Sequence, residues 1–291
     1  MPRIIPHLWY DDNAREARDF YCRVFHQEQQ NKPVNFDGTP SGKVELLEMS
    51  LFGQTFNLIS AGPYFKFNPS ISFLVNCNSE EEVGRYWTEF GKNAHIMMPL
   101  DSYPFSRAYG WLEDKYGLSW QFYYTEKATQ KIIPTLMFVG ENCGKAEEAV
   151  DLYTQVFGAS GIGAISRYEK EEGDNKEGTI QHIDFKLEGT GFAAMDSGYK
   201  HNFTFNEAIS FLVECRTQEE IDYYWEKLSA HPEAEQCGWL KDRYGVSWQI
   251  VPQVLGEMMK RGGAEKRAKI TEAFLKMKKF DIGKLLSAYN D

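Results

Sequence analysis

The same hairpin sequence occurs twice in this chain of 291 residues. Residues 110–124 read GWLEDKYGLSWQFYY, and residues 238–252 read GWLKDRYGVSWQIVP. Four further pairs of segments match in the same order: IIPHLWY (4–10) with IIPTLMF (132–138), ARDFYCRVF (17–25) with AVDLYTQVF (149–157), ISFLVNCNSEEEV (71–83) with ISFLVECRTQEEI (209–221), and YWTEF (86–90) with YWEKL (224–228). Self-similarity at a nearly constant spacing indicates one structural unit present in two copies. The sequence therefore predicts two domains, 1–127 and 131–253, and a helical tail, 254–291.

Each copy is predicted to run strand, helix, strands and then strand, helix, strands again. Asn13 and Glu16 are suited to cap the first helix of copy one. The second helix of each copy opens with a capping box, Ser79 to Glu82 in copy one and 217–220 in copy two. Apolar and aromatic residues then recur at helical spacing, which indicates helices that bury one face in a core.

Two segments, 43–60 and 179–196, alternate between apolar and polar residues around a central glycine and predict strand–turn–strand structures. A sheet with helices on one side buries its apolar face there and leaves the other face open to solvent or to a cleft. His182 and Asp184 lie two residues apart on the polar face of the second segment. The plainer interpretation is a polar outer surface, and the alternative is a pair that shares a hydrogen bond or a metal ion.

The charge balance argues against a nucleic-acid partner, because the formal net charge is -10 and phosphate binding needs clustered Lys and Arg. No apolar run approaches the roughly 20 residues of a membrane span, and the N-terminus lacks the core of a signal peptide. Five scattered cysteines without a CxxC pair favour reduced thiols over a disulfide framework or a cysteine zinc site. These features favour a cytoplasmic protein.

The tail carries apolar residues at helical spacing within 263–289. An amphipathic tail of this kind is expected to dock onto its own domain or onto a second subunit, which leaves a homodimer open. A membrane-surface helix is the minor alternative, since it would need a denser basic face.

The doubled pattern, the capped helix after ISFLV and the ending D-[KR]-Y-G-[VL]-S-W-Q resemble the PhnB-like branch of the vicinal oxygen chelate superfamily, which includes glyoxalases, bleomycin-resistance proteins and dioxygenases. The resemblance covers nearly the whole chain. It implies an α+β fold of tandem domains, each built of two βαβββ modules that form a curved sheet around a cleft. Members of this branch often carry the label 3-demethylubiquinone-9 3-methyltransferase.

The same resemblance implies metal ligands on the first, fifth and eighth strands of a domain. These positions fall on His7 and Thr135, near Ser70 and Ala208, and on Gln121 and Gln249. Divalent metals in such sites prefer His nitrogen and carboxylate oxygen, in sets of three or four. His7 and Gln121 are weak metal candidates, and copy two offers only Gln249. No cofactor is therefore assigned with confidence, although a divalent metal stays open.

Strand alternation gives candidate ligand-binding residues on the cleft face of each copy. Copy one supplies His7, Trp9, Ser72 and Gln121, and copy two supplies Thr135, Met137, Ser210 and Gln249, with His182 and Asp184 beside them. For His7 a hydrogen-bonded core histidine is an equally good interpretation.

The predicted function is the binding of a small, partly aromatic or apolar molecule in the cleft of each domain, without an intact metal site. The alternative is a metal-dependent lyase, isomerase or dioxygenase, so enzymatic activity is left undecided. Methyl transfer is not expected, because the glycine cluster GASGIG (158–163) follows a predicted helix and precedes a strand. An adenosylmethionine site normally places its glycines in the reverse order, between a strand and a helix.

Overall fold

The computed structural model describes residues 3–28, 33–39 and 42–290. The elements of the described residues are, in chain order, β1 (Arg3–Tyr10), α1 (Ala14–Val24), β2 (Val34–Thr39), β3 (Gly42–Leu51), β4 (Gln54–Ser60), β5 (Ile71–Cys77), α2 (Glu80–Phe90), β6 (His95–Tyr103), β7 (Ser106–Glu113), β8 (Ser119–Tyr124), β9 (Ile132–Val139), α3 (Ala146–Val156), β10 (Gly161–Arg167), β11 (Ile180–Leu187), β12 (Thr190–Ser197), β13 (Ile209–Cys215), α4 (Gln218–Leu228), β14 (Trp239–Lys241), β15 (Ser247–Pro252), α5 (Gln253–Arg261), α6 (Ala264–Leu275) and α7 (Ile282–Asn290). Two short 3-10 helices, Gly140–Asn142 and Pro232–Ala234, complete the set.

The chain forms two compact units, each with its own sheet. Unit 2 is the continuous segment Phe67–Phe205, and unit 1 combines the residues before it with the residues after it. The sheet of unit 1 has the order β14-β15-β13-β1-β4-β3-β2, and that of unit 2 has the order β10-β11-β12-β9-β5-β8-β7-β6.

The compact units cross the predicted boundaries at 127 and 131, because each unit takes one half of each sequence copy. The first strand of one copy pairs antiparallel with the central strand of the other copy: Ile5 lies opposite Leu212, and Phe73 lies opposite Pro134. A sequence repeat shows which modules are alike, but it does not show which modules pair.

Helix capping follows the sequence at two of the three predicted sites. The Ser79 hydroxyl accepts a hydrogen bond from the Glu82 backbone N–H at 3.1 Å, and the Thr217 hydroxyl accepts one from the Glu220 backbone N–H at 3.3 Å. Asn13 occupies the capping position of α1 but makes no side-chain capping bond. The Ser60 hydroxyl instead accepts from the N–H of Ala14 at 3.2 Å. The capping role predicted for the Asn13 side chain is therefore wrong, since a neighbouring strand supplies the oxygen.

The repeated hairpin is built around one buried aspartate in each unit. Asp114 accepts hydrogen bonds from the backbone N–H groups of Tyr116 and Leu118 and from the indole N–H of Trp120, at 2.8, 3.1 and 3.0 Å. Asp242 makes the same three bonds in unit 1 at 2.9, 3.1 and 2.9 Å. The turn glycines, at φ of 84° and 87°, adopt the left-handed conformation that other residues resist. The shared sequence therefore encodes a turn and the anchor of its buried tryptophan.

The tail docks onto unit 1, which is one of the two arrangements expected from its sequence. Phe274 of α6 contacts Phe36 of β2 edge-on, with ring centroids 6.2 Å apart. The backbone N–H groups of Cys237 and Gly238 donate to the carbonyl oxygens of Met277 and Lys278 at 2.8 and 2.7 Å. Among the described residues, no helix is long and apolar enough to span a membrane.

Candidate functional site

The inner face of each sheet, defined here as the face opposite its helices, carries most of the residues singled out in the sequence. Cross-strand pairing assigns side chains to this face, because directly paired residues point the same way. In unit 1, His7 pairs with Ser210 of β13 and with Asn57 of β4. In unit 2, Thr135 pairs with Ser72 and with Ala193. Each inner face thus joins strands of both sequence copies.

His7 is the buried polar centre of the inner face of unit 1. Its side chain is 4% exposed, and its Nδ1 atom has no hydrogen-bond partner. Burial lowers the pKa of His7 from 6.5 to about 4, so the imidazole is neutral near pH 7. The ring meets Trp239 edge-on at 5.6 Å, and Trp239 also contacts Trp9. His7 is therefore a buried, neutral imidazole among aromatic rings.

Gln249 lies on the same face, and its side chain makes one hydrogen bond, through its amide nitrogen. Its amide nitrogen donates to the Ser210 hydroxyl at 2.9 Å. The neighbouring Ser247 hydroxyl is buried and has no partner. The inner face of unit 1 thus holds two buried polar atoms, on His7 and Ser247, that have no hydrogen-bond partner among the described residues.

The tail lies over this inner face of unit 1. Glu48 pairs with Asn57, which pairs with His7, so all three side chains point to the inner face. Lys260 of α5 approaches Glu48 at 3.9 Å. Phe36 belongs to the same face through its pairing with Val44, and it carries Phe274 of α6. The tail therefore covers part of the face that holds His7.

Gln121 is fixed more firmly at the corresponding position in unit 2. Its amide oxygen accepts from the Tyr109 hydroxyl at 2.7 Å, and its amide nitrogen donates to the Ser72 hydroxyl at 2.7 Å. Burial raises the pKa of Tyr109, which keeps the phenol protonated as a donor. The Thr135 hydroxyl donates to the carbonyl of Ile133 in its own strand at 3.3 Å. Tyr109, Gln121 and Ser72 thus form a neutral chain of hydrogen bonds on the inner face.

An apolar cluster surrounds this chain in unit 2. Its buried members are Tyr109, Trp111, Met137 and Val139, and partly buried side chains pack around them: Met97, Met98, Tyr103, Tyr123, Met195 and Phe203. Met195 lies on β12 and Tyr109 lies on β7, and three strands, β9, β5 and β8, lie between them in the sheet. Strands so far apart contribute to one cluster because the sheet curls around its inner face.

His182 and Asp184 stand at the other side of this curled sheet. Their side chains form an ion pair or hydrogen bond of 2.9 Å, with 36% and 49% of each side chain exposed. Asp184 pairs with Ala193, which pairs with Thr135, so the aspartate points to the inner face. The pKa of Tyr123 is raised first by burial and then by the negative charge of Asp184. The two side chains therefore share a hydrogen bond on a partly exposed surface.

The structure regroups the candidate residues across the sequence copies. Unit 1 contains His7, Trp9, Ser210 and Gln249, and unit 2 contains the other six: Ser72, Gln121, Thr135, Met137, His182 and Asp184. The sequence did not single out Tyr109 and Trp111. Both lie on β7, directly opposite Tyr123 and Gln121 of β8. The hairpin GWL, present in both copies, already placed a tryptophan two residues after Tyr109 and could have revealed this face.

The donor atoms of neither inner face fit a superfamily-type metal site. In unit 1 the aligned side chains are one imidazole, the carboxylate of Glu48 and the neutral groups of Asn57, Ser210 and Gln249. In unit 2 they are hydroxyls and an amide whose oxygen already accepts a hydrogen bond from a phenol. Within the part of the chain that the structure describes, no three His, Cys, Asp or Glu side chains are grouped so that they could hold a metal ion. Zinc and similar ions need such a set.

A surface depression of about 730 Å³ lies elsewhere on unit 1, between the start of α4 and the loop before α7. Its lining is largely charged and includes two ion pairs, Lys279 with Asp222 and Lys284 with Asp281. It lies outside both inner faces and contains none of the candidate residues.

The family model described as 3-demethylubiquinone-9 3-methyltransferase matches the chain twice, at residues 2–123 and 130–251. The chain belongs to this family. Among solved structures, the PhnB protein of Bacillus cereus is 34% identical to this chain, and the match covers 42% of this chain and 98% of that protein, with a TM-score of 0.37. Glyoxalase I of Zea mays is 10% identical, covers 90% of this chain and 98% of its own, and has a TM-score of 0.54. A comparison with curated protein sequences gives no match.

These findings confirm the PhnB-like assignment and the tandem glyoxalase fold predicted from the sequence. At 10% identity, the likeness to glyoxalase I concerns the fold and not the reaction.

Proposed function

We propose that this member of the 3-demethylubiquinone-9 3-methyltransferase family binds a small, partly aromatic or apolar molecule on the inner face of unit 2. The observation that carries the proposal is the cluster of tyrosine, tryptophan and methionine side chains around Tyr109 and Trp111. Binding sites for small molecules are concave and mainly apolar, with a few fixed polar groups. Methionine adapts its shape to different ligands, which suits such a site.

The polar groups of this face would orient the ligand. Gln121 is held between Tyr109 and Ser72, so its amide cannot rotate freely. A fixed amide and a fixed phenol lose little conformational freedom when a ligand binds, which favours affinity. Neutral donors and acceptors of this kind suit a ligand with a hydroxyl or carbonyl group.

The inner face of unit 1 is assigned a lesser share of this function. Its aromatic residues, Trp9 and Trp239, and the unpaired Nδ1 of His7 would also suit a small ligand. The tail helices, however, cover part of that face through Phe274 and Lys260. We therefore place the binding function first on unit 2.

The alternative, a metal-dependent reaction, lacks a supporting set of ligands among the described residues. Methyl transfer has equally little support. The glycine-rich segment 158–163 follows the end of α3 and runs into the first three residues of β10. It therefore keeps the order, helix before strand, that argues against an adenosylmethionine site.

Titration with 2-naphthol, followed by tryptophan fluorescence and calorimetry, tests the proposal. We expect binding to weaken at least tenfold in Trp111→Leu, since the indole is the largest ring of the cluster. The matched change Trp239→Leu, at the equivalent position of unit 1, should alter the affinity less than about twofold. No binding by the wild-type chain, or equal loss in both variants, would overturn the assignment to unit 2.

A further inference from the structure

Four aromatic rings meet at one end of the inner face of unit 2, and we call them the ring cluster: Tyr103, Phe105, Tyr109 and Tyr123. Phe105 stacks on Tyr103 at 5.6 Å and meets Tyr109 edge-on at 5.0 Å. Tyr123 lies roughly parallel to Phe105 at 6.5 Å. Tyr109 stands nearly perpendicular to the other three rings. The cluster thus combines ring faces in one direction with ring edges in another.

The three tyrosine rings are held in place by hydrogen bonds of their hydroxyl groups. Tyr103 donates to the carbonyl of Pro99 at 3.0 Å, Tyr123 donates to the carbonyl of Phe105 at 3.2 Å, and Tyr109 donates to Gln121. Phe105 is nevertheless 52% exposed, although it is surrounded by the other rings. A large apolar ring that is fixed and exposed beside a concave apolar face is a typical ligand contact.

A carboxylate faces this cluster from the opposite side of the curled sheet. Asp184 points to the inner face. Burial and, after it, the negative charge of Asp184 raise the pKa of Tyr123. Met195, one strand from Asp184, packs in the same cluster as Tyr103, Tyr109 and Tyr123. The groups that could neutralise this carboxylate locally are His182, which is bonded to it, and Lys186, which follows on the same strand face.

From these observations we propose that the ring cluster and Asp184 together bind an organic ammonium cation. The faces of aromatic rings carry negative electrostatic potential and attract a desolvated cation, and alkylammonium groups are recognised by several rings at once. Asp184 adds a full negative charge, and the net charge of -10 favours the approach of a cation over that of an anion. The inference rests on the proposed function, since it names the chemical class of the ligand for the same face.

The test compares choline with 3,3-dimethylbutan-1-ol, which has nearly the same shape but no charge. Binding to the full-length chain is followed by calorimetry and NMR at about pH 8 and low ionic strength, where charge interactions are least screened. We expect choline to bind at least tenfold more tightly than the neutral alcohol. Equal affinities for the two compounds would overturn the proposal.

Two variants connect the preference to the named residues. Asp184→Asn should reduce the preference for choline to less than about threefold, and Phe105→Leu should weaken choline binding at least fivefold. Glu126→Gln is the matched control, because Glu126 is an exposed carboxylate of the same unit that pairs with Arg107. A preference that survives Asp184→Asn, or that is lost equally in Glu126→Gln, would contradict the proposal.

The binding of 2-naphthol separates this inference from the proposed function. If 2-naphthol binds and choline shows no preference, the cation site is wrong and the apolar binding function stands. If neither compound binds, both proposals fail.

Discussion

The two units are built from the same repeats, but they complete their sheets differently. In unit 2, residues 91–118 between α2 and β8 include the long hairpin of β6 and β7. In unit 1, the equivalent segment 229–246 is about ten residues shorter and contains a 3-10 helix and the short strand β14 in place of the long hairpin. The tail fills the missing place, because Met277 and Lys278 accept the backbone bonds of Cys237 and Gly238. An exposed sheet edge invites unwanted pairing, so each unit protects this edge by its own means.

The same comparison separates the polar centres of the two inner faces. Tyr109, which fixes Gln121, corresponds to Cys237 in the hairpin of unit 1. Thr135, which bonds to its own strand, corresponds to His7, whose Nδ1 has no partner. The polar centre of the inner face of unit 2 is therefore hydrogen-bonded, whereas in unit 1 the Nδ1 of His7 has no partner and the tail covers part of the face. The duplicated scaffold is retained while the faces diverge.

The largest expected effect concerns the feature that the units share. Asp114→Ala or Asp242→Ala leaves two backbone N–H groups and one indole N–H without their buried acceptor. We expect each change to lower the free energy of unfolding by about 4 kcal/mol. Urea unfolding measures the loss. Losses that differ between the two variants by more than about 2 kcal/mol would show that the hairpins are not equivalent.

The next effect distinguishes the units by pH. The pKa of His7 is lowered from 6.5 to about 4, so the unfolded chain binds a proton in this range that the folded chain does not. The contribution of His7 to the free energy of unfolding is fully present above pH 6.5. It is lost as the pH falls towards 4, by about 3 kcal/mol in all. The wild-type free energy of unfolding should show this slope in excess of that of His7→Leu. Thr135→Val in unit 2 is the control, and it should keep the wild-type slope.

A smaller effect should appear where the tail replaces a strand. Phe274→Ala removes a half-buried ring from the contact with Phe36 and weakens docking of the tail by about 2 kcal/mol. The amides of Cys237 and Gly238 should then exchange hydrogen about thirtyfold faster. The amides of the β6–β7 hairpin in unit 2 serve as the internal reference and should keep their protection. Unchanged exchange at Cys237 would mean that the tail does not protect this edge.

The smallest effect tests how firmly Gln121 is fixed. Tyr109→Phe removes the 2.7 Å bond to the amide oxygen and should cost about 1 kcal/mol of stability. Cys237→Ala, at the equivalent position in unit 1, should change stability by less than half of that amount. Thermal unfolding of both variants against the wild type measures the difference, and equal costs would remove the distinction between the two glutamines.

The sequence predicted the fold because its strongest signals are local and repeated. The capping boxes at Ser79 and Thr217 and the turn around Gly117 depend on neighbouring residues, and the structure confirms them. The exchange of halves between the copies involves pairs such as Ile5 with Leu212, for which the alternating pattern of either strand gives no partner. The same limit applies to the site. His7 and Gln121 read as one set in the sequence, while the pairings assign them to units 1 and 2.

The exchange of halves also sets an order for the folding of the chain during synthesis. All strands of unit 2 lie within residues 67–205, and its central pairing, Phe73 with Pro134, spans about 60 residues. The central pairing of unit 1, Ile5 with Leu212, spans more than 200 residues. Closing a longer loop costs more entropy, and pairing of distant segments slows folding. Unit 2 can therefore fold before the partners of the N-terminal strands have been synthesised. Until then those strands of unit 1 are unpaired, which makes them the part of the nascent chain most exposed to aggregation.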